Sequence, residues 1–461
     1  MHKASWVRPQ YAENFSCIAS ACEDTCCKDW VISVDRQTRE KYRQLPPGSL
    51  RELIERSITS LEADNDPVCP LDLASNHLAH IRLNQSHYCP LYSESGLCRV
   101  QVECGPDLLS HTCATYPRIV HVIGDVDDAS LTLSCPEAAR LVLLNPALLD
   151  VNRAEPVAAP NLPDDIDRFN TDCALDPARL RRWYWPVRES VIALIRNCSY
   201  PLWQRLFLLG IFCRRLDSIA RGELARSVPE FLIDFSSTLA SGNLRVAMET
   251  LPIDRVSQLD LVLRMAGLLL HRSTIGPRFV DCISAFTTGL GNGPQSTLET
   301  LAAQYTAAHD RYYAPFFYRY PHILENYLVN TIIRCQFPFG REAMRAQTPN
   351  PAANSSFTNE YALLAAQFAL TKGLLIGVSG FHQDDFASSH VVHTIQAASR
   401  HFEHHPEFLS LARTLLAESG MDGARGLAIL LRDPDPAAIK REPDHATQAL
   451  RSASYSAVRT A

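Results

Sequence analysis

Long apolar runs are missing from this chain of 461 residues. None approaches the ~18 consecutive apolar residues that cross a bilayer. The richest stretch, Leu202 to Cys213, is broken by Gln204 and Arg205. No secretory leader is expected either, since Pro9 and Glu13 stand where its apolar core would lie. A cytoplasmic protein without a membrane partner is the expectation. A basic excess is also absent: 44 Lys and Arg face 50 Asp and Glu, a net charge of −6. Nucleic acid is therefore not the expected partner, because neutralising phosphates takes a basic surface.

Two cofactor signatures are missing too. A doubly wound nucleotide fold needs a glycine-rich turn after a strand. The nearest string, Gly289-Leu290-Gly291-Asn292-Gly293, follows no strand pattern and reads as a loop. Paired Cys-x2-Cys units, the usual mark of zinc, do not occur, nor does histidine at regular intervals.

Cysteine, by contrast, is plentiful and uneven. Ten of the 15 cysteines fall in residues 1–135, where even scatter would put about four. Cys173, Cys198, Cys213, Cys282 and Cys335 stand alone in apolar surroundings and read as small core residues. In the N-terminal group Cys22, Cys26 and Cys27 lie within six residues. Cys89 and Cys98 flank a Ser95-Gly96 turn, and Cys113 and Cys135 follow. Cys69, Cys89 and Cys135 precede proline, which holds them extended at loop edges. A reducing compartment disfavours disulfides, so metal is the leading reading. An irregular, all-cysteine set suits an iron–sulfur cluster better than zinc, though spacing alone leaves both open. The run Cys22-x3-Cys26 would need a third cysteine at Asp29 for radical chemistry, which is not claimed.

The segments carrying these cysteines form longer strings. Pro9-Gln10-Tyr11 through Phe15 and Cys17, Ala21 through Cys27 to Trp30, and Cys89-Pro90-Leu91 with Gly96-Leu97-Cys98 are three of them. Others are His111 through Arg118, Leu131 through Glu137, Glu325 through Asn330, and Phe337-Pro338-Phe339-Gly340, with Ser399-Arg400 and Glu403-His404 as a weaker echo. Together, over roughly residues 9–418, they resemble the bacterial flagellin lysine-N-methylases. The cysteine part alone is similar to a broader class of zinc- or iron-chelating proteins with a Cys-x3-Cys-Cys core.

The resemblance implies transfer of methyl groups from S-adenosyl-L-methionine to lysines of flagellin, with a [4Fe-4S] cluster. Cys22, Cys26, Cys27, Cys89, Cys98, Cys113 and Cys135 match its cysteine pattern, and Cys17 matches its leading edge. The preferred cluster ligands are Cys26, Cys89, Cys98 and Cys113; Cys69 and Cys104 are bystanders. His111 reads as a loop-stabilising residue or a ligand. Arg118 is the weak candidate for a cofactor carboxylate, against a structural ion pair. The aromatic run Tyr312 to Tyr320 reads as a packed core edge or a channel that desolvates a lysine. Tyr313, Tyr320 and Glu325 are weak candidates for the proton acceptor, and His404-His405 reads as exposed.

The expected architecture is mainly α: a metal-stapled cysteine-rich region with short hairpins over 1–150, a linker or long loop over 151–175, a helical domain over 176–432 and a mobile tail over 433–461. Helices are expected at Arg36–Arg43, Leu50–Leu61, Leu180–Arg196, Leu202–Arg221, Val256–His271, Ile323–Cys335, Tyr361–Ile376 and Val391–Phe402. A hairpin is expected from Arg118–Ile123 to Leu131–Ser134, returning Cys135 toward Cys113. The competing functional readings are a non-catalytic metal-stapled module that binds a protein partner, and a redox protein.

Overall fold

The computed structural model describes residues 10–30, 32–60, 77–124, 126–148, 168–169, 177–271, 275–340, 356–403 and 407–434. Cys69, Cys173, His404 and His405 lie outside the described residues, as do most of the expected linker and the tail beyond residue 434.

In chain order the first part contains β1 (Ile32–Asp35), α1 (Arg36–Arg43), α2 (Ser49–Ser57), β2 (Ile58–Ser60) and β3 (His77–Ile81). It continues with α3 (Arg99–Cys104), α4 (His111–Thr115), β4 (Arg118–Ile123), β5 (Val126–Leu131), α5 (Pro136–Leu143) and the short β6 (Arg168–Phe169). The helical part follows: α6 (Tyr184–Ile195), α7 (Leu202–Ala220), α8 (Val228–Ser241), α9 (Asn243–Glu249), α10 (Arg255–Leu270), α11 (Pro277–Gly289) and α12 (Leu298–Ala308). It ends with α13 (Ala314–Arg319), α14 (His322–Arg334), α15 (Phe357–His382), α16 (Ser388–Phe402), α17 (Phe408–Glu418) and α18 (Ala424–Leu431). The chain is mainly α, as expected.

The small differences have local causes. The second expected helix stops at Ser57, because β-branched Ile58 and Thr59 pair instead with Ile81 and His80 in a sheet of order β1-β3-β2. The hairpin forms, with Arg118 opposite Leu131 and Ile123 opposite Val126. Its turn is tighter than expected, since Gly124 takes a positive φ of 62° and the second strand starts at Val126. Asp128 therefore lies within β5, where its carboxylate is buried against the guanidinium of Arg188 on α6.

The centre of the bundle is α15. Every residue from Tyr361 to Ser379 is buried, as befits a helix that is apolar all round. Contrary to the expectation that no stretch comes near spanning length and that Leu202 to Cys213 is the richest, it is the one helix among the described residues long and apolar enough to cross a membrane. Its apolar window lies wholly inside the bundle. Asp217 of α7 fixes its first turn, accepting from the backbone N–H groups of Phe357 (2.8 Å) and Thr358 (2.9 Å). The glycine string at 289–293 serves this packing. A side chain at Gly289 would run into the backbone of α15 at Gly377, and Gly291 makes the turn that follows with φ of 67°.

Two cores result, and they do not follow chain order. The smaller one gathers Ile32, Val34, Ile54, Ile81, Cys89 and Leu91, with Cys27, Cys98 and Cys113 at its rim. The larger one holds the bundle together with Tyr11, Phe15, Leu131, Leu133 and Cys135 from the N-terminal part. At Asp433 the chain is still held: its carboxylate lies 3.1 Å from both Lys372 Nζ and Arg255 Nη1.

Arg188 and Asp128 are both almost fully buried, at 2% and 1% exposure, and Tyr184 contributes a third polar group. Removing one partner strands the other charge in the core. Arg188→Met is expected to cost about 3–5 kcal/mol in denaturant unfolding, whereas Arg188→Met with Asp128→Leu costs much less. A single variant as stable as the parent would contradict this.

Candidate metal centre

Backbone pairing brings the cysteines together. The loop after Cys22 runs antiparallel to residues 87–89: Asp29 N–H donates to His87 O (3.0 Å) and Cys89 N–H to Cys27 O (2.8 Å). Cys26 and Cys27 thus lie alongside Cys89. The expected turn at Ser95-Gly96 exists, with Gly96 at φ of 77° and Ser93 N–H bonded to Leu97 O. It returns the chain so that Arg99 N–H reaches Leu91 O, which places Cys98 beside Cys89. Cys113 enters from the first turn of α4, capped by Ser110 Oγ at 3.3 Å. Asp35, at the end of β1, steadies that turn by accepting from His111 N–H at 3.0 Å.

Cys26, Cys89, Cys98 and Cys113 are electrostatic neighbours: Cys113 faces Cys26 and Cys98, and Cys89 faces Cys98 and Cys113. Cys26 also belongs to a second group with Cys22 and Cys135. Cys135 thus faces the Cys22–Cys26 loop, and the hairpin returns it to that side of the cluster of thiols. Cys17 is exposed and accepts from the nearby Ala19 N–H at 3.4 Å. Cys104 sits on the rim of the smaller core.

Burial pushes the thiols of Cys89, Cys113 and Cys135 up to about 12. Cys26 is also pushed up, first by a hydrogen bond with Cys27 and then by burial. Such a group of thiols stays protonated unless a cation takes the protons' place. Among the described residues no three His, Cys, Asp or Glu side chains are placed to hold a single metal ion. A cubane distributes its ligands over four separate irons, so its thiolates stand farther apart than those around one ion. The donor set, all sulfur and drawn from separate segments, fits such a group in kind.

Polar side chains of two bundle helices grip these cysteine segments. On α16, Gln396 Nε2 donates to Asp24 Oδ2 (2.8 Å) and to Ser134 O (2.9 Å). One turn on, Arg400 pairs with Asp24 (2.8 Å) and donates to the carbonyls of Thr25 (3.1 Å) and Lys28 (2.6 Å). Glu403, a further turn along the same face, accepts from Thr132 and lies 3.4 Å from Arg334. On α14, Asn330 pairs with the backbone of Leu131 like a neighbouring strand, donating to its carbonyl at 2.8 Å, and accepts from Tyr11 Oη at 2.7 Å. Asn326, four residues earlier, donates to Val142 O and Asn145 O and caps the end of α5. Trp30 packs on Tyr116 with ring centroids 5.3 Å apart and donates to Cys26 O.

The remaining expected site residues are occupied elsewhere. Arg118 donates to Ala12 O (3.0 Å) and Phe15 O (2.7 Å), tying the N-terminal segment to the hairpin. Glu325 faces away from the Asn326–Asn330 stripe and pairs with Arg205 at 2.6 Å, with the exposed Cys198 thiol beside it. Cys198 is thus a surface residue, unlike the buried Cys213 and Cys282. Tyr313 is buried against His309 and Phe317, and burial holds its phenol well above the ordinary value. Tyr320 is half-buried between Phe316 and His322. Sequence reasoning missed Asp24, Gln396 and Arg278, whose Nε donates to Gln396 Oε1 at 2.7 Å. For Gln396 the one sequence signal is its four-residue spacing from Arg400, which puts both on one face of the helix.

The helices that carry these residues are those that known proteins share. The family model described as the FliB lysine N-methylase C-terminal domain matches residues 188–430, more than half of the chain. The chain belongs to the FliB lysine N-methylase family. Relatives of this FliB-family chain include a lysine-N-methylase of Salmonella choleraesuis (strain SC-B67), 28% identical over 295 residues that cover 61% of this chain and 67% of that one. The lysine-N-methylase of Salmonella typhimurium (strain LT2) matches to the same extent. A flagellar biosynthetic protein FliU of Salmonella muenchen is 34% identical over 147 residues, 32% of this chain and 81% of that one. No solved structure matches.

The buried thiols set a pH dependence. In the unfolded chain they ionise near 9.0, and in the folded chain near 12. Raised values mean that their contribution is intact below pH 9 and is lost as the pH climbs from about 9 to 12. Denaturant titration of the metal-free protein is expected to show constant stability from pH 6 to 8 and a decline above 9. Stability that holds through pH 11 would contradict the burial of these thiols.

Proposed function

We propose that this FliB-family protein transfers methyl groups from S-adenosyl-L-methionine to lysine side chains of flagellin in the cytoplasm, and that it carries a [4Fe-4S] cluster. The observation behind this reading is the meeting of two features at one seam. The helices that match the family domain, at 188–430, directly grip the segments that bear the cysteines. The names of the relatives support the lysine and flagellar parts.

Cys26, Cys89, Cys98 and Cys113 would hold the cluster, with Cys22, Cys27 and Cys135 adjacent. Bound there, it would supply redox-capable iron in a soft sulfur environment. The substrate amine must be neutral to attack a methyl group, and lysine ordinarily titrates near ~10.4. Burial against apolar surface lowers that value, because it disfavours the charged form. The edge formed by the turn His309–Tyr313 and α13 offers such a surface: Phe316 packs on Tyr320 and Phe386, and Tyr318 is 59% exposed. Ring faces there attract a cation before it loses its proton. His322, beside Tyr320, is held below the ordinary histidine value by burial, and its free ring nitrogen is the nearest acceptor for that proton in this reading.

Anaerobic purification followed by iron and sulfide analysis and a flagellin methylation assay tests the reading. A brown protein with about four irons and four sulfides is expected, with methylated lysines detected by mass spectrometry. Cys26→Ser is expected to lose at least about tenfold in metal affinity. A colourless, zinc-bearing protein inert on flagellin would replace the methylase with a metal-stapled binding module.

A further inference from the structure

The loop that carries Cys22, Cys26 and Cys27 has no regular secondary structure to hold its shape. Within the loop only short contacts form, from Cys27 N–H to Thr25 Oγ1 (3.2 Å), from Cys22 Sγ to Asp24 O (3.3 Å) and from Trp30 to Cys26 O. Its backbone pairing with residues 87–89 holds one side, and a second constraint comes from one face of α16, more than 360 residues along the chain. Gln396 and Arg400 occupy positions i and i+4, so both point at the same loop.

Their contacts divide the work. Arg400 brackets the two adjacent cysteines: it holds Thr25 O just before Cys26 and Lys28 O just after Cys27. Its third contact is the Asp24 carboxylate at 2.8 Å, with both side chains largely buried at 12% and 13% exposure. Only a planar guanidinium has enough donors in a fixed fork to span two carbonyls and a carboxylate. Gln396 joins that same carboxylate to Ser134 O, the residue before Cys135. Arg278 of α11 fixes the orientation of the Gln396 amide by donating to its oxygen at 2.7 Å. The Cys26–Cys27 loop and the Cys135 turn are thus spaced by one stripe of one helix.

We propose that Arg400 and Gln396 are positioning residues for the metal centre, so that the helical domain completes a site whose ligands all lie in the N-terminal part. The inference rests on the reading that these thiols hold metal. It assigns the two side chains no contact with metal or substrate; they act through the loop backbone and Asp24.

The test uses the full chain, loaded anaerobically, with metal content, chelator-driven release and the visible spectrum as readouts. Arg400→Ala is expected to fold, by circular dichroism and cooperative unfolding, yet to release metal about 10- to 100-fold faster. Arg400→Lys keeps the charge near Asp24 but cannot reach both carbonyls, so its release rate should fall between. Gln396→Ala should loosen the Cys135 side. In the metal-free chain, alkylation read by mass spectrometry should then rise at Cys135 for Gln396→Ala and at Cys26 and Cys27 for Arg400→Ala. Arg264→Ala, a surface change on α10, serves as control.

Parental release rates and parental alkylation in both Arg400→Ala and Gln396→Ala would overturn the inference. If Arg400→Ala fails to fold, Arg400→Lys and Gln396→Ala carry the same comparison. If the parent binds no metal, the cluster reading falls by itself. The alkylation pattern of the metal-free chains then decides whether these residues position the thiols.

Discussion

A guanidinium spread across two carbonyls and a carboxylate ties the cysteine loop to the helical bundle. Arg400 holds both flanks of the Cys26–Cys27 pair, and Cys26 of that pair links the two groups of thiols. Hydrogen bonds to charged groups contribute about 1.5–3 kcal/mol each, more than neutral ones, and burial raises the cost of leaving them unmade. Three such contacts from one side chain outweigh the entropy of ordering a five-residue loop only because the guanidinium itself is already fixed on a packed helix.

The same device recurs along the seam. Asn326 and Asn330 on α14 lie four residues apart, as Gln396 and Arg400 do on α16. Each pair projects polar groups from a mostly buried helix toward backbone that lacks a partner of its own. Asn330 completes the edge of β5 at Leu131, and Asn326 closes the open carbonyls at the end of α5. Buried backbone groups must be paired somewhere, so the irregular N-terminal segments require these side chains. This explains why the hairpin and α5 join the larger core while β1, β2 and β3 form a core of their own.

The thiols lie where the two cores meet, and that position sets their chemistry. Apolar surroundings on both sides keep Cys89, Cys113 and Cys135 protonated at neutral pH. A metal that binds there must displace protons from sites that resist losing them. Its affinity therefore rises with pH and depends on how well the loops are held in place.

The sequence by itself determined the helical class, the boundaries of α1, α7, α10 and α14 within a residue or two, the turn at Gly96 and the group of cysteines. These are local properties: apolar periodicity, turn residues and the density of one residue type. The family strings were legible too, but not the work that each residue does. Glu325 and Arg118 carried chemical promise as isolated charges, and both turn out to neutralise or tie down a neighbour. Only the tertiary structure decided that Asn326 faces α5 while Glu325 faces Arg205, and that Gln396 and Arg400 reach across more than 260 residues to the cysteine loops. Helical spacing says which residues share a face, but it holds no information about what that face will meet, because the partner is chosen by packing between segments far apart in the chain.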